Sequence, residues 1–263
     1  MSDHTGIEWA DATWNPIIGC SKCSPGCAHC YAERMAHRLR HMGVAGYTSE
    51  IELGGWTGIT AKLDDRLHQP SHWRKPRRVF VCSMGDLFHG SIPSRWIMEV
   101  FEAITLGNRR HTYLILTKRA GRMRDWFADN QERFWHYHAP DQPPRPYVSA
   151  PWPDPCLWLG VTVCDQLEAD HLIPCLLATP AAVRWVSIEP MLGPIKLPQG
   201  LDWVVCGAET GPGKRPMDLD WARSLRDQCA AANVPFFFKK DSSGRRELDG
   251  VTHDAMPVRE DGQ

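Results

Sequence analysis

The sequence predicts an α/β fold with mostly parallel strands, and three observations carry that expectation. Short apolar runs recur along the chain: "PIIG" (16–19), "RVFVCSM" (78–84), "TYLILTK" (112–118), "LWLGVTV" (157–163), "RWVSIEP" (184–190), "DWVVCGAE" (202–209) and "VPFFFKK" (234–240). These runs are β-branched or aromatic and nearly continuous rather than alternating, as in strands covered on both faces. Segments with helical spacing separate them, so that a strand-helix unit repeats about six times, which suits either a barrel or an open doubly wound sheet.

Taken in order, "PIIG" is the expected first strand. A cysteine-rich loop follows, and then "YAERMAHRLRHM" reads as a helix. The 41–75 stretch, with "GGWTG" and "HQPSHWRKP", interrupts the repeat as a long insertion. In "SRWIMEVFEAITLG" (94–107), Trp96, Ile97, Val100, Phe101 and Ile104 share one helical face, with Ser94 after Pro93 as the expected N-cap. A second interruption, "HYHAPDQPPRPYVSAPWPDP" (136–155), is proline-rich and aperiodic. "DLDWARSLRDQCAAANV" (218–234) reads as the last long helix, with Asp218 or Asp220 as N-cap and Asn233 near its end.

At 263 residues with 43% apolar content, the chain can bury a substantial core, and the whole of 1–263 is read as a single domain. A formal net charge of -1 announces no polyanionic partner globally, although 30 Lys and Arg leave room for local clusters such as "HWRKPRR" (72–78) and "KRAGRMR" (118–124). The opening "MSDHTGIEWADATWNP" has no apolar run of signal-peptide length, and no later stretch reaches the roughly 18 apolar residues of a membrane span. The expectation is a soluble, cytoplasmic protein. Cys82, Cys156, Cys164, Cys175, Cys206 and Cys229 lie singly and read as buried free thiols.

The other four cysteines are concentrated in "GCSKCSPGCAHCYAERM" (19–35), a strand-to-helix loop of the kind that gathers at the carboxyl edge of parallel sheets. Cys23, Cys27 and Cys30 have the spacing C-x3-C-x2-C. Three thiolates suit a four-iron, four-sulfide (4Fe-4S) cluster and leave one iron open to a small chelating molecule. With Cys20 added, the spacings of two, three and two residues would also permit tetrahedral zinc, since CxxC pairs are common zinc ligands.

In this loop the sequence resembles the radical S-adenosylmethionine (SAM) superfamily, and "CAHCYAE" is similar to the loop of spore photoproduct lyases. A closer resemblance, to the phage- and prophage-associated three-cysteine-motif family, extends over nearly the whole chain. It is carried by "IEWADATWNP", "GC" followed by "SPGCAHCYAERM", "SMGDLFH", "LILTKR", "LGVTV", "SIEPMLGP", "GAETGPGKRPM" and "VPFFFKK". The family pattern selects Cys20, Cys27 and Cys30, whereas the superfamily spacing selects Cys23, Cys27 and Cys30. Both sets are present, so the third ligand stays open.

The resemblance implies a partial TIM-like (β/α)6 barrel of radical SAM type. It implies a 4Fe-4S cluster that reductively cleaves bound SAM to a 5'-deoxyadenosyl radical, which takes hydrogen from a substrate. A reductant, flavodoxin-like or chemical, would supply the electron. Gly85 and Asp86 resemble the motif that holds the SAM ammonium group, and Tyr31 next to the last cysteine would also contact the cofactor. Arg119, with Lys118, stands at the expected end of the third strand, where a SAM carboxylate or a substrate phosphate could bind. Lys118, Glu189 and Glu209 are the candidate catalytic residues, because charged groups directly after buried strands are costly to hold inward unless paired or used. Lys214 and Arg215 follow Glu209 in a glycine-rich turn that matches no nucleotide fingerprint.

The phage-like association points to a nucleic-acid base or nucleotide as substrate, for instance in DNA base modification or rearrangement. The competing expectation is a non-catalytic zinc protein that binds nucleic acid. Trp9 and Trp14, flanking Asp11 and Asn15, are candidates for a cofactor or substrate wall, with core packing as the alternative. His29 and His37 read as surface groups, and the "HYH" at 136–138 lacks an acidic partner for a metal site.

Overall fold

Proline brings no N–H to a hydrogen-bonded ladder, and Pro16 ends the first strand early. In the computed structural model, which describes residues 5–107, 109–135 and 153–258, the first strand of the sheet, β1, is Ala12–Trp14. The expected strand "PIIG" contributes only β2 (Ile17–Ile18), which leaves the sheet and pairs antiparallel with a later strand. A 3-10 turn (Pro25–Cys27) and α1 (Tyr31–His41) follow. The insertion holds β3 (Ile51–Glu52), β4 (Gly55–Trp56), β5 (Ala61–Lys62), α2 (Asp64–Leu67) and a 3-10 turn at Gln69–His72. The regular repeat then runs β6 (Arg78–Val81), α3 (Ser94–Gly107), β7 (Thr112–Thr117), α4 (Ala120–Trp135), β8 (Leu157–Thr162) and α5 (Gln166–Leu177). It continues with β9 (Val183–Ile188), β10 (Trp203–Cys206), α6 (Leu219–Ala232) and β11 (Phe236–Phe238), and a hairpin of β12 (Glu247–Leu248) and β13 (Val251–Thr252) closes the series. The "HYH" and most of the proline-rich stretch lie outside the described residues.

Seven parallel strands form one curled half-barrel sheet in the order β1-β6-β7-β8-β9-β10-β11. That order follows the chain without reversal, and the side chains of the two faces differ in what covers them. The outward positions Val79, Tyr113, Leu157, Val186, Val204 and Phe238 join one core cluster with residues of α3, α4, α5 and α6. The alternate positions Phe80, Leu114, Trp158, Trp185, Trp203 and Phe237 form a second cluster with Trp9, to which no helix contributes. Among the described residues helices thus cover one face only, which favours the singly wound, barrel-like arrangement over the doubly wound alternative. The sheet has seven strands rather than six because Ala12–Trp14 supplies the one that the apolar runs did not signal.

The concave face changes character along the strands. Toward the amino ends it is filled by tryptophans, and Gly160 is needed there because a methyl group would lie 2.5 Å from the Trp185 indole. Two residues further along β8 and β9 it carries the register pair Thr162 and Ser187, both buried. Trp9 belongs to the tryptophan packing, edge-on to Phe80 at 4.8 Å and to Trp185 at 5.2 Å. Trp14 lies on the helical face and donates its indole N–H to Arg66 O at 2.7 Å. Packing therefore accounts for both, and neither forms a wall at the cysteine loop.

The caps follow the sequence closely for α6, where Asp218 accepts from Asp220 N–H and Asn233 takes the left-handed conformation, φ 54°. At α3 the cap differs. Pro93 O accepts from Trp96 and Ile97 N–H, so Ser94 is the first helical residue, and its hydroxyl instead accepts from Trp126 Nε1. Among the described residues no helix is long and apolar enough to cross a membrane.

Candidate functional site

Parallel strands bring their carboxyl ends to one edge, and the loop 20–30 lies on that edge. After β2 the chain bridges in parallel to the segment after β6, with Gly19 beside Gly85. Gly19 N–H donates to Met84 O at 3.1 Å. The approach requires glycines on both sides: a methyl at Gly85 would lie 2.9 Å from Gly19 O, and one at Gly19 would run into the Ile59 carbonyl.

Asp86, buried after β6, is the latch of this edge. Its carboxylate accepts from Phe88 N–H (3.0 Å), Thr117 Oγ1 (2.7 Å), Lys118 N–H (3.2 Å) and Arg119 Nη1 (2.8 Å). Arg119 then reaches into the cysteine loop, donating to Ser21 O at 3.0 Å and to Ser21 Oγ at 3.1 Å, with Cys20 Sγ 3.9 Å from its Nη1. The other side of Ser21 Oγ meets His89 Nε2 at 2.7 Å. Ser91 N–H donates to Nδ1 of the same ring, which places the proton on Nε2. Burial and the nearby Arg119 charge lower the His89 pKa. The sequence brings Gly85, Asp86, Lys118 and Arg119 together as expected. However, the Asp86 carboxylate is occupied in joining two strand ends to the loop.

A second grip comes from the segment after β10. Glu209 is buried and accepts from Arg215 N–H (2.8 Å) and Nε (2.9 Å), and a further close ion pair joins it to Arg215 Nη2. Arg215 Nη2 also donates to Pro25 O at 3.0 Å. Arg34 of α1 ties the same two loops, donating to His29 O at 3.1 Å and Thr210 O at 3.0 Å. Gly211, at φ 96°, is required there because a methyl would lie 2.5 Å from the Arg34 guanidinium. The glycine-rich turn is thus a clasp on the cysteine loop, and Glu209 acts through Arg215.

Glu189, after β9, pairs with Lys239 after β11 at 3.0 Å through Oε2. Its other oxygen is enclosed and has no hydrogen-bond partner among the described residues, lying where a methyl on Gly207 would be only 2.7 Å away. Tyr31 is 46% exposed, yet its hydroxyl donates to Ser83 O at 3.0 Å and its pKa is raised by burial, by Cys30 and by Glu189.

All four thiols of the loop are free. Burial, helped by Asp86, pushes the Cys20 thiol up to about 12 against the pull of Arg119. The contact between Cys23 and Cys27 lowers the Cys27 pKa and raises that of Cys23. The Lys118 charge lowers Cys27 further. Of the six single cysteines, five are buried, while Cys175 is half-buried and donates to His171 O.

Cys164, after β8, stands apart from the rest because it touches the loop: its Sγ is 4.0 Å from Ser24 Oγ and donates to Glu168 Oε2 at 2.9 Å. With Asp165, which caps α5, it forms the trio of thiol and carboxylate ligand atoms within 4.8 Å of one another among the described residues. Gly26 packs against Cys164 and Pro190, so the loop rests on the ends of β8 and β9 as well.

This chain belongs to the DUF5131 family of proteins of unknown function. The match covers residues 4–257, nearly the whole length. No curated protein and no solved structure matches it. The site of this DUF5131 chain must therefore be read from its own residues. Sequence reasoning missed Ser21, His89, Arg34 and Cys164 in it. "SMGDLFH" did contain His89, but its partner Ser21 lies 68 residues away and only the fold shows the contact.

Proposed function

We propose that the chain is a radical SAM-type iron-sulfur enzyme acting on a nucleic-acid base or nucleotide. Cys27 and Cys30 would hold a 4Fe-4S cluster together with Cys20 or Cys23. The observation that carries this reading is the convergence of side chains from the ends of β6, β7 and β10 on one loop of free thiols. Such effort fixes the loop's shape, as a preorganised metal site requires.

The donor set fits the cluster. Thiolates are the ligands that iron-sulfur clusters take, and the loop offers four.

A cluster held by Cys27, Cys30 and Cys20 or Cys23 would supply one-electron reductive cleavage of bound SAM. The protein binds, orients and excludes water. Arg119 and Asp86 hold the Cys20 side of the loop, and Arg215 with Glu209 holds the Pro25 side. Gly85 permits the close approach of the two backbones. Glu189, whose Oε1 lacks a partner, is suited to accept from an ammonium or N–H group, because an enclosed, unmatched carboxylate oxygen is costly until something donates to it. Tyr31, partly exposed next to Cys30, is placed to contact a group bound at the loop.

Anaerobically reconstituted protein, reduced with dithionite and given SAM, is expected to release methionine and 5'-deoxyadenosine, measured by liquid chromatography. A colourless protein that carries zinc and leaves SAM intact would favour the structural zinc module.

A further inference from the structure

We propose that the Ser21 hydroxyl donates a hydrogen bond to a sulfur of the iron-sulfur cluster held by the loop, and that His89 and Arg119 are the positioning residues that turn it there. The inference rests on the cluster reading above. It adds a device that sets how readily the cluster takes up an electron.

A serine hydroxyl has two acceptor lone pairs and one hydrogen to give. At Ser21 both acceptor positions are taken. A guanidinium can only donate, and Arg119 Nη2 lies 3.1 Å from Ser21 Oγ. His89 Nε2 lies 2.7 Å from the same oxygen. A backbone N–H can likewise only donate, and that of Ser91 meets the other ring nitrogen, Nδ1, at 3.2 Å, so Nδ1 accepts and Nε2 carries the hydrogen. Two donors therefore converge on Ser21 Oγ, and its own hydrogen is left to give. Among the described residues that oxygen makes no other hydrogen bond.

The leftover hydrogen belongs to a half-buried residue set beside a sulfur of the loop. Cys20 Sγ lies 3.5 Å from Ser21 O and 3.9 Å from Arg119 Nη1, so one guanidinium reaches both the serine and the thiol. The geometry is held from behind. His89 is buried in a turn in which its N–H donates to Asp86 O at 2.9 Å and its carbonyl accepts from Ile92 N–H at 3.0 Å. Ser91 Oγ, 2.8 Å from Nδ1, also lies 3.2 Å from Gly58 O, and Gly58 N–H donates to Cys20 O at 3.0 Å. The turn after β6 and the insertion thus grip Cys20 and Ser21 together.

Holding the loop alone would not require this arrangement, because Arg119 already donates to Ser21 O at 3.0 Å. What the buried histidine adds is the orientation of one hydroxyl. A reduced cluster carries one more negative charge than an oxidised one, so a hydrogen bond to its sulfur is stronger in the reduced state and raises the reduction potential. The electron still comes from the reductant. No bond forms or breaks at Ser21.

The test is a redox titration of the anaerobically reconstituted full chain, followed by paramagnetic resonance, on wild type and on Ser21→Ala, Ser21→Val and Ser21→Thr at equal iron content. Valine and threonine have nearly the same shape and differ in the hydroxyl. At a fixed applied potential the ratio of reduced to oxidised cluster is expected to fall roughly fivefold in Ser21→Ala and Ser21→Val, and to stay within about twofold of wild type in Ser21→Thr, the size expected of one hydrogen bond that strengthens on reduction. His89→Gln, which still offers an N–H, should lie nearer wild type than His89→Ala. Pulsed paramagnetic resonance in H2O and D2O should show an exchangeable hydrogen coupled to the reduced cluster in wild type and Ser21→Thr, and should lose that coupling in Ser21→Ala and Ser21→Val.

Ser21→Thr and Ser21→Val with the same potential and the same couplings would overturn the proposal and assign the hydroxyl's hydrogen to solvent. Iron content, measured on the same samples, separates the two readings. Iron-loaded variants that cannot be told apart remove the role of Ser21 alone, whereas a wild-type chain that never takes up iron removes the cluster and this role with it.

Discussion

Asp86→Ala is expected to destabilise the fold by about 3–5 kcal/mol, the usual cost of leaving one member of a buried ion pair without its partner. The change strips Arg119 of its carboxylate and leaves Thr117 Oγ1 and the Phe88 and Lys118 N–H groups without their acceptor. Asp86→Asn should cost less, because an amide oxygen still accepts, yet it returns no charge to Arg119. Denaturant unfolding of the two variants measures this order. A loss near zero for Asp86→Ala would mean that the latch is open in solution. Because Arg119 holds Ser21, the same variants should also expose the cysteine loop, which thiol alkylation under native conditions would register as faster labelling of Cys20.

Cys27→Ala and Cys30→Ala are each expected to lower iron retained after anaerobic reconstitution by tenfold or more, since the metal's affinity rests on its thiolate ligands. Cys20→Ala and Cys23→Ala divide the remaining question. Cys20 is anchored to the latch through Arg119 and Ser21, while Cys23 is exposed and lies beside Cys27. One of these two variants should lose iron as Cys27→Ala does, and the other should keep it. Full retention by both Cys27→Ala and Cys30→Ala would place the metal elsewhere or nowhere.

The parallel sheet and its helices were legible because buried parallel strands need long apolar runs, and six such runs coincide with β6 to β11. β1 escaped notice because "ATW" is too short to stand out and the more apolar "PIIG" lies just beyond the proline that ends the ladder. The loop of thiols and most of the charged residues that meet it could be named from local spacing. Their roles could not. The motif does not tell that the Asp86 carboxylate joins two strand ends to the loop through four hydrogen bonds, nor that Glu209 is tied through Arg215 to Pro25.

The claim that the loop holds a cluster with an iron open to SAM is tested most directly by paramagnetic resonance of the reduced, anaerobically reconstituted protein with and without SAM. The account predicts a signal from a reduced four-iron cluster whose position or shape changes when SAM is added, because SAM would chelate the iron that lacks a protein ligand. A protein that is colourless and silent after reconstitution, or one whose cluster signal is indifferent to saturating SAM, would contradict it.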